Sequence, residues 1–180
     1  GLIGYGNMGK AFAKKLRGFN VTVLCYDIKP NVGDENCTQV SLKELQNRAN
    51  VLSLHTPQTP LTINMVNSNF INQFKRPFWL INTARGKSCN RDAIAKALKS
   101  GQLSGYAGDV WFPQPAPNDH VWRTMPNHGM TPHTSGTSLS AQARYADGVR
   151  EILECFFEKK EIRNQYLIVQ NGQLAGMGAH

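Results

Sequence analysis

No stretch of this sequence approaches the roughly 20 consecutive apolar residues that a helix needs to span a bilayer. A soluble protein is therefore expected. Cysteine is scarce: Cys25, Cys37, Cys89 and Cys155 are the whole complement of four, with no Cys-x-x-Cys pair and no His spacing suited to zinc. Idle or buried thiols in a reducing compartment are expected, and no metal site. Acidic residues are also few, 12 against 20 Lys and Arg, which leaves a formal charge of +8. Such an excess would suit a polyanion only if it were clustered. Here it is spread in short groups such as Lys14-Lys15-Leu16-Arg17 and Lys159-Lys160, at the carboxyl ends of predicted helices where cations offset the dipole. Neither a nucleic acid nor a membrane surface is expected as a partner. Repeats and low-complexity tracts are absent as well. A chain of 180 residues has room for one well-buried domain with a small appendage, and two full domains would be a tight fit.

What the chain does contain is alternation. Gly1-Leu2-Ile3 reads as the end of a buried strand, so the chain opens inside an element and further residues are expected before it; no secretory leader is visible. A helix follows from about Met8 to Arg17. Val21 to Tyr26 is β-branched and apolar, a second strand ending at Asp27. Ser41-Leu42-Lys43-Glu44 is a capping box that opens a short helix. Val51 to His55, stopped by Pro57 and Pro60, and Phe78 to Asn82 are the third and fourth strands. Arg91 to Ser100 is a helix closed by Gly101, and Gly105–Val110 and Gly129–Thr131 add two short strands. Alternation of this kind predicts an α/β fold, a Rossmann-like, doubly wound parallel sheet. Beyond Ser138, Ala146, Val149, Leu153 and Phe156 recur at helical steps on one face of a long helix ending near Lys159. The tail from Ile162 to His180 has no role that pattern alone assigns.

Gly4-Tyr5-Gly6-Asn7-Met8-Gly9 joins the first strand to the first helix. On its own Gly-x-Gly-x-x-Gly is a weak signal, because tight turns without ligands share it. Context strengthens it. Gly4 permits the sharp turn, Gly6 lets backbone approach a pyrophosphate, and Gly9 lets helix pack on strand, with free amides at the helix start facing phosphates. Asp27, at the end of the second strand, suits the adenosine ribose hydroxyls and repels a 2′-phosphate, which predicts NAD as cofactor rather than NADP.

Two further strings carry chemistry. Asn82-Thr83-Ala84-Arg85-Gly86 puts Arg85 at the carboxyl end of the sheet, where open α/β folds place ligands and where a guanidinium can clamp a carboxylate. Gly108-Asp109-Val110-Trp111-Phe112-Pro113-Gln114-Pro115-Ala116-Pro117 is followed by Met130-Thr131-Pro132-His133-Thr134-Ser135-Gly136. A lone Arg is by default a surface ion-pair partner, a lone His by default structural, and Trp111 and Trp122 are by default packing residues. The proline triplet reads as a stiff extended loop that holds Gln114 still.

Taken together these strings resemble the metal-free, NAD-dependent formate dehydrogenases, a branch of the D-2-hydroxyacid dehydrogenase family. The likeness is continuous from about Cys89 to His180. From Gly4 to about Lys87 the chain is more similar to phosphoglycerate-dehydrogenase-like members, with Asn7 and Thr59 where formate dehydrogenases carry Arg and His. The resemblance implies that Arg85, Gln114 and His133 are the catalytic group. It also implies cofactor contacts from Gly4, Gly6, Asn7, Met8, Gly9, Asp27, Pro57, Thr83, Asp109, Ser135 and Gly136. In the hydroxyacid enzymes the matching His is a general base partnered by Glu; Gln114 cannot hold a proton, which suits formate, whose oxidation releases no hydroxyl proton.

The same resemblance implies a nucleotide domain over residues 1–136, with residues 137–180 belonging to a catalytic domain whose remainder lies outside the chain. Formate is the implied substrate, a homodimer the implied assembly of the full-length protein, and the cytoplasm the implied compartment, with organellar import left open. Alone, the chain is expected to bind NAD weakly and to turn over little formate. Two alternatives stay open: a 2-hydroxyacid dehydrogenase proper, and a non-catalytic NAD-binding module.

Overall fold

The computed structural model describes residues 1–163, 166–167 and 169–174. Much of the tail lies outside that range. The chain divides into two compact units, Gly1–Pro132 and His133–His180.

Seven strands make the first unit: β1 (Leu2–Ile3), β2 (Leu24–Tyr26), β3 (Thr38–Gln39), β4 (Val51–Leu54), β5 (Phe78–Asn82), β6 (Leu103–Gly108) and β7 (His128–Met130). They lie in the order β3-β2-β1-β4-β5-β6-β7, and every pairing among them is parallel. The order reverses between β1 and β4. This is the predicted doubly wound arrangement, whose reversal point opens a crevice outside the carboxyl ends of those two strands.

Helices α1 (Asn7–Leu16), α2 (Leu42–Arg48), α3 (Ser68–Asn72) and α4 (Arg91–Ser100) connect the strands. The local sequence of α4 specifies both of its ends. Asn90 accepts the Ala93 amide at 2.9 Å, and Gly101 takes φ 79 just past the last turn, a left-handed backbone that only glycine adopts without steric cost. Between these caps Ala93, Ile94, Ala97 and Leu98 are buried, so one stripe of the helix faces the sheet. On β5, Phe78, Leu80 and Asn82 are buried while Trp79 and Ile81 are not, the two-residue period of a strand. Phe78 stacks on Phe74 with ring centroids 3.7 Å apart. Each fully buried aliphatic or aromatic side chain here contributes about 1.5–3 kcal/mol against exposure.

In α2 the capping box forms only in part. Ser41 Oγ accepts the Glu44 amide at 3.2 Å, but the Glu44 carboxylate pairs forward with Arg48 at 2.7 Å instead of returning to the cap. β2 is shorter than the predicted Val21–Tyr26, because β1 offers only Leu2 and Ile3 as partners, to Cys25 and Tyr26. Val21 stays exposed. The two final strands start earlier than predicted, β6 at Leu103 and β7 at His128. The two-residue β3 and five-residue α3 were not predicted, being too short to show a period. Cys25, Cys37 and Cys89 are buried free thiols.

The second unit holds α5 (Leu139–Phe157) and a two-stranded hairpin, β8 (Val169–Gln170) with β9 (Gln173–Leu174). Ser138 Oγ caps α5 by accepting the Ala141 amide at 3.2 Å. The helix stops before the predicted Lys159, because Lys159 turns left-handed at φ 54 and the Lys160 amide reaches back to the Cys155 carbonyl at 2.9 Å, the six-to-one bond that closes a helix. Glu151, midway along α5, pairs with Arg163 and accepts the Tyr166 hydroxyl at 3.4 Å. No helix among the described residues is long and apolar enough to cross a membrane.

Candidate functional site

The last residues of six strands stand in one register row. Tyr26 pairs with Ile3, Ile3 with Leu54, Leu54 with Asn82, Asn82 with Gly108 and Gly108 with Met130. The next residue of each strand therefore opens on a common edge: Asp27, Gly4, His55, Thr83, Asp109 and Thr131. Four of the six, Gly4, Asp27, Thr83 and Asp109, were predicted as cofactor contacts from scattered parts of the sequence, and the sheet brings them to one rim.

At the reversal point the three fingerprint glycines do three different things. A Cβ on Gly4, whose φ is +88, would lie 2.7 Å from the His55 carbonyl oxygen. On Gly9 it would lie 2.5 Å from the Gly4 carbonyl oxygen, so helix and turn touch there backbone to backbone. On Gly6 it would meet nothing within 4 Å. That open space lies where α1 begins. Gly6 occupies the N-cap without a side-chain cap, and the first turn carries no acidic residue, whereas α2, α3, α4 and α5 are each capped by a Ser or Asn side chain. Exposed Asn7 and Met8 follow. An uncapped helix start with a Cβ-free approach fits a phosphate group.

Asp27 is fixed to this turn. Its Oδ2 accepts the Tyr5 amide at 2.7 Å and its Oδ1 accepts the Lys29 amide at 2.9 Å. Each oxygen keeps a second lone pair for a hydroxyl donor. Tyr5, 1% exposed, donates its hydroxyl to Asp34 Oδ1 at 2.7 Å. That bond is the main cause holding the Asp34 carboxyl below its usual range, while burial pushes the Tyr5 phenol up. The turn between Gly4 and Gly6 is thus tied to both acidic residues of the β2 region. Sequence reading missed Tyr5, since the middle residue of Gly-x-Gly carries no pattern of its own.

Beyond β4, His55 bonds Ser53 Oγ through Nε2 at 3.0 Å, and burial lowers its pKa to about 4. Pro57 follows, and its carbonyl accepts the Thr62 hydroxyl at 2.6 Å, which pins the loop that leaves the rim. Beyond β5, fully buried Asn82 builds the next turn: its Nδ2 donates to the Arg85 carbonyl at 3.0 Å and its Oδ1 accepts the Ala84 amide at 3.0 Å. Arg85 and Thr83 are exposed on that turn, with Arg85 Nη1 resting on the Ala84 carbonyl at 2.7 Å.

A Cβ on Gly86 would lie 2.2 Å from the Trp111 carbonyl. The Arg85 turn and the Gln114 loop therefore meet backbone to backbone at a position that only glycine fits. Buried Asp109 accepts the Thr131 hydroxyl at 2.5 Å, and its amide donates to the Asn82 carbonyl at 3.1 Å. The loop itself is not extended. It bends through residues 112–115, with cis bonds at Phe112–Pro113 and Gln114–Pro115, so the extended reading is corrected. Gln114 is exposed on it. Trp122 is a core residue, 1% exposed, and Trp111 packs against the same core.

His133, Ser135 and Gly136 open the second unit. His133 adopts a left-handed φ of 61, and Thr137 returns to the Thr134 carbonyl through its hydroxyl at 2.8 Å and its amide at 3.1 Å, forming the turn that leads into α5. Among the described residues no group of three or more His, Cys, Asp or Glu could hold a metal ion.

Comparison with known proteins matches residues 1–135 to the family model of the D-isomer specific 2-hydroxyacid dehydrogenase NAD-binding domain. The formate dehydrogenase of Pseudomonas sp. (strain 101) is 53% identical over 185 residues, covering 100% of this chain and 46% of that protein. Among solved structures, a Granulicella formate dehydrogenase superimposes with a TM-score of 0.84 at 48% identity, over 98% of this chain and 48% of that one. The NAD-dependent formate dehydrogenase of Staphylococcus aureus in complex with NAD gives 0.80 at 45% identity, over 90% of this chain and 49% of that one. The chain spans about half the length of the relatives it matches.

Proposed function

Because the chain belongs to the D-isomer specific 2-hydroxyacid dehydrogenase NAD-binding-domain family, we propose that it is the cofactor half of an enzyme that oxidises formate to carbon dioxide with NAD. Bound NAD supplies the hydride acceptor. Gly6 and the first amides of α1 would hold its pyrophosphate, Asp27 its ribose hydroxyls and Asp109 the neighbourhood of the carboxamide. The open approach at Gly6 supports that fit.

The observation that carries the choice of formate is Gln114. In the formate reaction the C–H hydride and its electron pair leave a carboxylate, and neutral CO₂ remains with no proton to remove. A general base is superfluous. Arg85 would hold the formate oxygens by its planar fork of donors, His133 would donate to them, and the Gln114 amide would orient the imidazole without titrating. Charge on the substrate fades as CO₂ forms, so cationic binding stabilises the ground state at least as much as the transition state, and the rate must come from alignment. Residues 137–180 belong in this reading to the substrate-binding half, and the whole protein is a cytoplasmic homodimer.

The test joins this chain to the complementary half of a formate dehydrogenase and offers formate, D-glycerate and D-lactate in turn. Reduction of NAD by formate alone is expected. Faster reduction by a 2-hydroxy acid would move the assignment to the hydroxyacid branch, which the Leu54-His55-Thr56-Pro57-Gln58-Thr59-Pro60 segment favours. NAD-dependent association with a partner, without turnover of any of the three, would make it a binding module. Gln114→Glu should add a bend to kcat/KM between about pH 5 and 8, where a Glu-paired imidazole titrates. The 180-residue chain alone should bind NAD and turn over little formate.

A further inference from the structure

The loop that carries Gln114 is poor in main-chain donors, since Pro113, Pro115 and Pro117 supply no backbone N–H, and three of its carbonyls are held from outside it. Donors come from the following turn, residues 120–123. His120, 2% exposed, accepts the Trp122 amide on Nδ1 at 3.3 Å. That assigns its proton to Nε2, which donates to the Phe112 carbonyl at 3.1 Å. Arg123 donates from Nε to the Pro117 carbonyl at 2.9 Å and from Nη2 to the Ala116 carbonyl at 2.9 Å. One planar fork thereby grips two consecutive carbonyls, a geometry that an ammonium on a flexible stem cannot copy.

These bonds bracket Gln114, one on the residue two before it and two on the residues two and three after it. The Gly86 turn meets Trp111 backbone to backbone, and the Lys87 ammonium lies 4.5 Å over the Phe112 ring. The loop is clamped between the turn bearing Arg85 and the turn bearing Arg123. We propose that Arg123, seconded by His120, is a positioning residue for the reaction: it acts through the Ala116 and Pro117 carbonyls to set where the Gln114 amide stands relative to Arg85. The inference rests on the role given to Gln114 above. Arg123 itself is exposed, so the fold does not depend on burying it.

The experiment uses the complete enzyme, with Arg123→Ala, Arg123→Lys, Gln114→Asn and the Gln114→Asn/Arg123→Ala double variant. Arg123→Ala should lower kcat for formate roughly 10- to 100-fold, the scale of an ångström of misplacement, while KM for NAD stays within about twofold and the unfolding temperature is unchanged. Arg123→Lys, which reaches one carbonyl, should recover part of the loss. Gln114→Asn keeps the amide but draws it back, so adding Arg123→Ala to it should cost little more. Multiplying single losses in the double variant, a loss that falls on KM for NAD, or an Arg123→Ala enzyme with more than half its kcat would each overturn the proposal. An unsubstituted enzyme inert toward formate would sink the assignment of function, and the role of Arg123 with it.

Discussion

Gly6→Ala should separate cofactor affinity from stability. In the protein alone the new methyl meets nothing within 4 Å, and the backbone at Gly6, φ −80 and ψ −157, is one that alanine adopts. Alanine is a poorer N-cap than glycine by roughly 0.5–1 kcal/mol, but it also narrows the unfolded ensemble by about 0.4–1 kcal/mol. The two nearly cancel, so the unfolding temperature should move by no more than about 3 °C. If NAD binds as proposed, the methyl would stand where the pyrophosphate approaches. Displacing the phosphate from even one amide forfeits a charge-assisted hydrogen bond of about 1.5–3 kcal/mol, a loss of roughly 10- to 150-fold in Kd. Gly9→Ala is the control with the opposite signature. Its Cβ would sit 2.5 Å from the Gly4 carbonyl oxygen, so helix and turn must part at a cost of about 1–3 kcal/mol or more. Thermal unfolding and a fluorescence titration with NADH measure both quantities on the same samples. Equal NADH affinity in Gly6→Ala and the unsubstituted chain would refute the phosphate cradle.

His55 gives a pH prediction. Burial holds its folded pKa at about 4 against about 6.5 in an unfolded chain, so the unfolded state takes up the proton first as pH falls. The stabilisation is complete above about pH 6.5 and is lost progressively down to about pH 4, up to about 3 kcal/mol in all. His55→Asn should flatten that slope in urea titrations, and an unchanged slope would show that His55 is not its source. Asn82→Ala should cost about 1–3 kcal/mol, since it leaves the buried Ala84 amide without its acceptor and takes one of two donors from the Arg85 carbonyl, which keeps the Ser88 amide. A urea midpoint indicating less than about 1 kcal/mol would mean that the Arg85 turn holds without Asn82.

What the sequence disclosed was whatever is encoded locally. Asn90 and Gly101 mark the ends of α4 residue by residue, and the alternating Phe78-Trp79-Leu80-Ile81-Asn82 run coincides with β5. The glycine fingerprint was legible because its three positions have different steric needs: Gly4 takes a left-handed backbone and Gly9 a close backbone contact, while Gly6 leaves open space. Elements of two to five residues, β3 and α3, are too short to carry a period. The clasp of His120 and Arg123 went unseen for another reason. It acts on main-chain carbonyls, which every residue possesses, so nothing in the loop sequence announces which ones are gripped. Three prolines in five positions suggested an extended loop, whereas the loop bends and its carbonyls take hydrogen bonds from donors outside it.

Six strand ends share one register row, and this separates what the protein can vary from what it cannot. A substitution one step past the row leaves the ladder bonds beneath it intact, so the residues on the rim can be exchanged singly without unpicking the sheet. A deletion inside any of these strands does the reverse: it turns that strand's apolar side chains outward and shifts the residue it presents at the rim in the same stroke. The fold's tolerance to change should therefore fall abruptly between neighbouring positions, high at exposed Thr83 and low at buried Asn82.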